Sequence, residues 1–459
     1  MIPHIIQSSD ETPTIIETVE KDSFDSWLST QKNPSISWVK AQNFQAKEGS
    51  HIALPSEEGE ISRVVLISDG DWGIWSLSKL ATSLPQGLYK VAADLEMEEA
   101  TQVAIGWSLA SYKFDRYKAS DQKFANLLLP ENADRDEVAR QVYAVNLARD
   151  LINTPAADMG PKSLEAAASQ VAGEFEARQM NVVGDDLLTY HYPMVHAVGR
   201  ASDEAPRLID MVWGDNNHPK VTIVGKGVCF DTGGLDLKPS SAMLMMKKDM
   251  GGAANALALA YMIMDANLPV RLRILIPAVE NSVSGNAYRP GDVLISRSGK
   301  TVEIGNTDAE GRLVMADAIT AADEEEPEIL IDMATLTGAA RVAVGTELAA
   351  TFTDDDDLYA LIEKNARSVK DPVWRLPLWD EYRSMIDSPI ADINNSGNSP
   401  FAGATTAGLF LKEFVEKSKS WVHFDIMAFN NRDRPGRPQG GEAMAIRALY
   451  KALTEKYGS

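Results

Sequence analysis

Two stretches of this chain hold residue types that could carry out hydrolysis. In Asn306-Thr307-Asp308-Ala309-Glu310-Gly311-Arg312-Leu313, two carboxylates stand one residue apart and an arginine follows two residues later. Gly305 and Asn306 favour a turn before them, and Leu313, Met315, Ala316 and Ile319 repeat at helical spacing after them. A carboxylate pair on an irregular turn can aim several oxygens at one point, as a hard or borderline divalent cation requires. A guanidinium beside such a pair suits a site where negative charge develops during a reaction. The second stretch runs Lys226-Gly227-Val228-Cys229-Phe230-Asp231-Thr232-Gly233-Gly234, then Lys238-Pro239, then Met246 to Gly252 with Asp249 inside it. Asp231 adjoins glycines that let the backbone approach a ligand. Asp249 opens a Gly/Ala-rich helical pattern near its positive end. Each has a bland reading alone: a turn at Asp231, an N-cap at Asp249, a surface lysine at Lys238. Together, Asp231, Asp249, Asp308 and Glu310 would repel one another unless a cation neutralised them.

Competing chemistries are poorly supported. There is no His-Glu-x-x-His, and the six histidines are scattered. His423 alternates with apolar neighbours as a strand residue would, and is expected to be a satisfied structural histidine. Gly225-x-Gly227 lacks the third glycine of a dinucleotide fingerprint, and neither a phosphate-binding Gly-x-x-x-x-Gly-Lys-Ser/Thr nor a Gly-x-Ser-x-Gly elbow occurs. Cys229 lies in an apolar stretch and is expected to pack, not to react.

The elements that must position these residues read as α/β. In the first block, Arg63 to Ser68 and Tyr89 to Ala93 are strand-like, while Trp72 to Leu84 and Glu96 to Tyr112 are helix-like. Asp134 to Asn153 is a long amphipathic pattern stopped by Thr154-Pro155. Beyond it, strands are expected at Leu208 to Trp213, Val221 to Val224, Leu272 to Ile276 and Ile329 to Met333, with helices at Ala253 to Met264 and Gly311 to Ala322. The expected architecture is a smaller N-terminal α/β domain (1–133, structural or for assembly), a connector helix (134–160), and a larger C-terminal domain (161–459). That domain's sheet is expected to be mostly parallel and flanked by helices. Ligands in such sheets sit beyond the carboxyl ends of the strands, where Gly225-Lys226-Gly227 and Thr335-Leu336-Thr337-Gly338 fall. The acidic run Asp354 to Asp357 is expected to be a solvated first helical turn.

The whole chain narrows the partners. Its 459 residues carry a formal net charge of −22, which argues against nucleic acid and against an anionic membrane. A single cysteine excludes a disulfide framework. Neither a signal peptide nor an apolar run of about 18 residues is seen, so a soluble, cytoplasmic protein is expected.

With both stretches in hand, the chain resembles the leucyl aminopeptidase (cytosol aminopeptidase) family of dinuclear metallopeptidases. Asn306 to Leu313 is similar to that family's signature in full. Val224 to Gly227, Asp231 to Gly234, Lys238-Pro239 and Lys248-Asp249-Met250 are similar to its other site segments. Weaker matches extend from about Arg149 to Phe414. The resemblance implies two divalent ions, Zn²⁺ or Mn²⁺. The tighter would be held by Lys226, Asp231, Asp249 and Glu310, the more exchangeable by Asp231, Asp308 and Glu310. It implies that a water shared by both ions attacks the peptide carbonyl, and that the free α-amine of a short peptide ligates one ion. Lys238 would stabilise the oxyanion, and Arg312 would anchor a bicarbonate acting as general base. Asn306, Thr335, Leu336 and Gly338 would contact substrate, with Met246 lining a pocket for leucine-like side chains. A homohexamer acting on short peptides, with no nucleic-acid or membrane partner, is the implied assembly. Ser241 to Met246 is more apolar than the family usually is there, and Arg432 to Ala443 also departs from its pattern. Both bear on side-chain preference. The rival readings are a dinuclear phosphoester hydrolase and a non-catalytic cation-binding or assembly protein.

Overall fold

In a computed structural model of the chain, residues 2–458 are described. They divide into two compact units: residues up to Asn146 together with Asp433–Pro438, and Leu147–Arg432 together with the residues from Gln439. The division falls inside the helix Arg135–Asn153.

The first unit is built on six strands: β1 (Ile5–Ile6), β2 (Thr14–Val19), β3 (His51–Pro55), β4 (Ile61–Ile67), β5 (Leu88–Ala92) and β6 (Asn126–Leu128). Their order is β1-β6-β5-β2-β4-β3, parallel except where β3 runs against β4. Val64 to Ile67 are all buried, as expected of a parallel strand covered on both faces. Val65 and Ile67 pack with Phe24, Val39, Ile52 and Leu54. The helix Met97–Ala110 opens with a capping box between Glu96 and Glu99 and buries every residue from Val103 to Ala110. The helical pattern read over Trp72 to Leu84 forms a helix only at Ser78–Ser83. Gly73 and its neighbours are held in turns, with Ser76 Oγ accepting from Gly73 N at 2.9 Å. A local side-chain hydrogen bond there competes with helix.

The second unit carries a nine-stranded sheet. Its strands are β7 (Arg178–Val183), β8 (Arg207–Trp213), β9 (Lys220–Gly225), β10 (Gly227–Asp231), β11 (Arg271–Asn281), β14 (Ile329–Ala334), β15 (Ala349–Phe352), β16 (Val373–Arg375) and β18 (Trp421–Asp425). The order is β16-β15-β18-β14-β9-β11-β8-β7, with β10 continuing alongside β11. The central strands β18, β14, β9 and β11 are mutually parallel. Antiparallel pairings enter toward the edges, at β15 with β18 and at β8 with β11 and β7. A small sheet of β12 (Val293–Ile295), β13 (Thr301–Glu303) and β17 (Ile393–Asn394) stands beside it.

Two helices bring the chemistry to the carboxyl ends of the parallel strands. The helix Gly251–Asp265 is buried at every residue from Gly251 to Met264. Its Gly/Ala-rich start allows a close approach: a Cβ on Gly252 would lie 2.1 Å from the Met333 carbonyl oxygen. The helix Glu310–Asp323 is buried throughout and packs Leu313, Val314 and Ile319 into the main core with Leu275 and Leu330. Each such fully buried aliphatic side chain contributes about 1.5–3 kcal/mol. Among the described residues, no helix is long and apolar enough to cross a membrane.

Candidate metal centre

Lys226 sits where one strand line breaks into two. β9 pairs with β11 as far as Val224 opposite Leu275, and β10 resumes with Gly227 opposite Ala278. At the break the Lys226 amide donates to the Met333 carbonyl (2.9 Å) and its carbonyl accepts from Ala253 N (2.8 Å). Lys226 Nζ lies 2.7 Å from Asp249 Oδ2 and 2.9 Å from Glu310 Oε1. It also donates to the Thr335 carbonyl at 3.3 Å. Asp249 stands in the turn Met246–Met250, just ahead of the buried helix, and Glu310 is the first residue of its own helix. Gly311 leaves room for this lysine: a Cβ there would lie 2.7 Å from Lys226 Nζ, so the side chain would have to move away from the acids.

Asp231 ends β10. Its Oδ2 is 2.7 Å from Lys238 Nζ, which also pairs with Asp308. One oxygen each of Asp231, Asp308 and Glu310 lie within 4.8 Å of one another. The turn carrying Asp308 is fastened from several sides. Asn306 Oδ1 accepts from Asp308 N (2.7 Å), and Asp236 Oδ2 accepts from Thr307 N (2.7 Å). Asn395 accepts from Gly305 N (2.8 Å) and donates to the Asn306 carbonyl (2.7 Å). β13 and β17 deliver that asparagine: Glu303 pairs with Asn394, and Asn395 N then donates to the Glu303 carbonyl.

Burial opposes charge at every one of these groups, and their neighbours decide the outcome. Burial and the facing Asp231 push the Glu310 carboxyl up to about 8. Asp308 is raised for the same two reasons. At Asp249 burial also pushes upward, but the Lys226 and Lys248 ammonium groups outweigh it and hold the carboxyl below its usual range. Lys226 and Lys238, though desolvated, are held protonated by the acids around them. The ammonium groups of Lys226, Lys238 and Lys248 thus supply the countercharge for these four acids. A donor set of converging carboxylate oxygens plus an amine fits a divalent ion, which would replace those protons.

The chain therefore brings together Lys226, Asp231, Lys238, Asp249, Asp308 and Glu310, with Thr335 bound to the group through its hydroxyl, which donates to Asp249 Oδ1 at 2.8 Å. Arg312 is placed differently. Among the described residues it forms no ion pair, and its Nε and Nη1 are buried without a hydrogen-bond partner. Burial pulls the guanidinium down to about 10, against Glu310 and Asp425, so it stays charged near neutrality. An anion is the chemical complement of two such nitrogens. Leu336 N donates to Asp425 Oδ1 (3.0 Å), Gly338 opens the helix Gly338–Val344, and Met246 is buried at the start of its turn. Asn306 spends its side-chain oxygen on the turn itself.

Asn281, Tyr288 and Asn395 at this centre carried no signal in the sequence. Asn281 Nδ2 donates to Asp231 Oδ1 (2.9 Å), and Tyr288 donates its hydroxyl to the Thr307 carbonyl (2.6 Å). Lys248 is buried 3.8 Å from Asp249 Oδ1, and burial pulls its ammonium down to about 8. Asn281 and Asn395 lie far from the motifs along the chain, so only pairing of distant strands could reveal them. The expectation for His423 needs correction. Its Nδ1 bonds Asp332 Oδ1 (2.6 Å), but its Nε2 is buried without a partner. Asp332 outweighs burial and raises the imidazole above its usual range. Cys229 is buried and unpaired, in keeping with packing.

Comparison with known proteins gives a consistent picture. The profile described as "Cytosol aminopeptidase family, catalytic domain" matches residues 146–450, and "M17 aminopeptidase, N-terminal domain" matches residues 14–130. A "Probable cytosol aminopeptidase" of Syntrophotalea carbinolica is 35% identical over 91% of this chain and 91% of its own length. A "Peptidase B" of Pectobacterium atrosepticum is 39% identical over 78% of this chain and 85% of its own. The crystal structure of a cytosol aminopeptidase from Coxiella burnetii superposes with a TM-score of 0.94 at 45% identity, covering 99% of both chains. The bottromycin maturation enzyme BotP in complex with Mn superposes with a TM-score of 0.85 at 31% identity, covering 96% of this chain and 99% of its own.

Proposed function

This chain belongs to the cytosol aminopeptidase family, and we propose that it is a two-metal aminopeptidase releasing N-terminal residues, leucine-like ones among them, from short peptides. The observation that carries this reading is the convergence of Asp231, Asp308 and Glu310 beside Lys226 and Asp249. Lys226, Asp231, Asp249 and Glu310 would hold one divalent ion, and Asp231, Asp308 and Glu310 the other, with Zn²⁺ or Mn²⁺ as candidates. When bound, such a pair supplies Lewis acidity, polarising the peptide carbonyl and lowering the pKa of a water between the ions.

The chain's own groups do the rest. Lys238 Nζ already faces Asp231 and Asp308, so its ammonium stands beside the place where carbonyl charge develops and would stabilise it. Arg312 cannot take a proton near neutrality, and its two unpartnered nitrogens suit a bicarbonate that would serve as base. Thr335 orients Asp249, while Met246, Leu336 and Gly338 would border an apolar side-chain pocket and Asn306 would face the substrate backbone. A homohexamer in the cytoplasm is the proposed setting.

The test is hydrolysis of a panel of aminoacyl p-nitroanilides by protein loaded with Mn²⁺ or Zn²⁺, with and without chelator. Cleavage that chelator abolishes and metal restores is expected. No cleavage across the panel by metal-loaded protein would sink the assignment.

A further inference from the structure

Asn281 occupies a position that the proposed chemistry does not use directly. It is the last residue of β11, and the parallel pairing of β10 with β11 sets it opposite Asp231. Its side chain is fully buried. Nδ2 donates to Asp231 Oδ1 (2.9 Å) and to the Thr307 carbonyl (3.1 Å), contacts 50 and 26 residues away in sequence. The backbone carbonyl of Asn281 accepts from Thr232 N (3.1 Å) and Thr232 Oγ1 (2.7 Å). Its Oδ1, by contrast, is buried with no partner.

That asymmetry is informative. A buried amide oxygen without a donor is unfavourable, so an asparagine kept only for packing would be outperformed by an apolar side chain of like volume. The amide is useful here through its two N–H groups. Asp231 Oδ1 is occupied by Gly233 N (2.9 Å) and by Asn281. Its other oxygen is therefore the one turned toward Lys238. The same amide ties this carboxylate to the carbonyl immediately before Asp308, which Tyr288 also holds.

We propose that Asn281 is a positioning residue for the metal centre, fixing both the rotation of the Asp231 carboxylate and its separation from the turn that carries Asp308. The proposal rests on the two-metal reading above. Groups that orient a ligating carboxylate set affinity as well as geometry, and their loss weakens metal binding about 10- to 100-fold.

The test uses the whole chain stripped of metal, titrated with Mn²⁺ by calorimetry. The unsubstituted protein is compared with Asn281→Leu, which is close in volume, adds no charge and loses both donors, and with Asn281→Ala. Asn365→Ala is the control, since Asn365 is also buried and also donates twice, to the Leu361 carbonyl (3.0 Å) and Glu455 (2.9 Å), away from this centre. Mn²⁺ affinity should fall about tenfold or more in both Asn281 variants, and the visible bands of the Co²⁺-loaded protein should shift. The control should keep both properties even if it melts at a lower temperature. Should Asn281→Ala fail to fold, Asn281→Ser replaces it, being too short to reach either acceptor. Folded Asn281 variants with unchanged Mn²⁺ affinity and unchanged Co²⁺ bands would overturn the proposal alone. Failure of the unsubstituted protein to take up Mn²⁺ or Zn²⁺ would remove the metal reading, and this proposal with it.

Discussion

Lys238 and Arg312 are both cations that feel the charge of Glu310, yet their surroundings give them different work. Lys238 pairs with two of the carboxylates, so removing it frees those oxygens for a cation. We expect Lys238→Ala to keep its metal content while turnover drops about 100- to 1,000-fold, the usual effect of losing one oxyanion donor. Metal analysis alongside kcat checks this, and a fully active variant would deprive Lys238 of its role. Arg312 is instead a charge buried with two nitrogens unsatisfied, an arrangement costing about 1–3 kcal/mol. Arg312→Met should therefore melt at the same temperature or higher while losing activity, and added bicarbonate should accelerate only the unsubstituted enzyme. A strongly destabilised Arg312→Met would show that the guanidinium serves structure. Asn281 belongs with these two: its identity was readable in the sequence, but its use depends on which atoms lie across from it.

At the scale of elements, the helix Glu310–Asp323 links the reacting residues to the scaffold. Asp317, one turn beyond the motif, accepts from Met194 N (2.8 Å), Val195 N (3.3 Å) and Arg297 N (2.8 Å). It thereby caps the helix Pro193–Gly199. Burial still pushes its carboxyl up to about 7. A folded-state pKa raised above the unfolded value means the native form holds the proton longer. The contribution to stability is then complete below about pH 4 and is lost as pH rises toward 7. Asp317→Asn is uncharged at every pH and places an amide N–H against a backbone donor, so it should be less stable. Its deficit relative to the unsubstituted protein should be larger at pH 5 than at pH 8, as thermal melts at the two pH values would reveal. A deficit that grows with pH would contradict the assignment. The strands β9, β11 and β14, and the helices Gly251–Asp265 and Glu310–Asp323, were legible because their apolar periodicity is strong. The outlying strands β7, β15 and β16 were not. They are short or half exposed, and a neighbour's backbone, not their own side chains, makes them strands.

For the whole molecule, which carries a net charge of −22, the carboxylates gathered at one centre make divalent cations stabilising ligands. A ligand that binds only the folded chain adds about 2.7 kcal/mol at a hundredfold excess over its Kd. Calorimetric scans should show the melting of chelator-treated protein rise by several degrees on adding Mn²⁺ or Zn²⁺, and fall back with excess chelator. No shift with either ion would leave the carboxylates without their proposed partner.

What the sequence determined by itself was chemical: the reacting side chains, the glycines that let backbone crowd them, and the α/β alternation that sends both motifs to strand ends. These are local properties, set by residue type and spacing. The tertiary structure decided which oxygens face one another, that Arg312 Nε and Nη1 find no hydrogen-bond partner among the described residues, and that Asn281 and Asn395 serve turns many residues distant. Those contacts depend on strand register and helix approach, which arise from packing across the sheet and leave no mark in neighbouring residues.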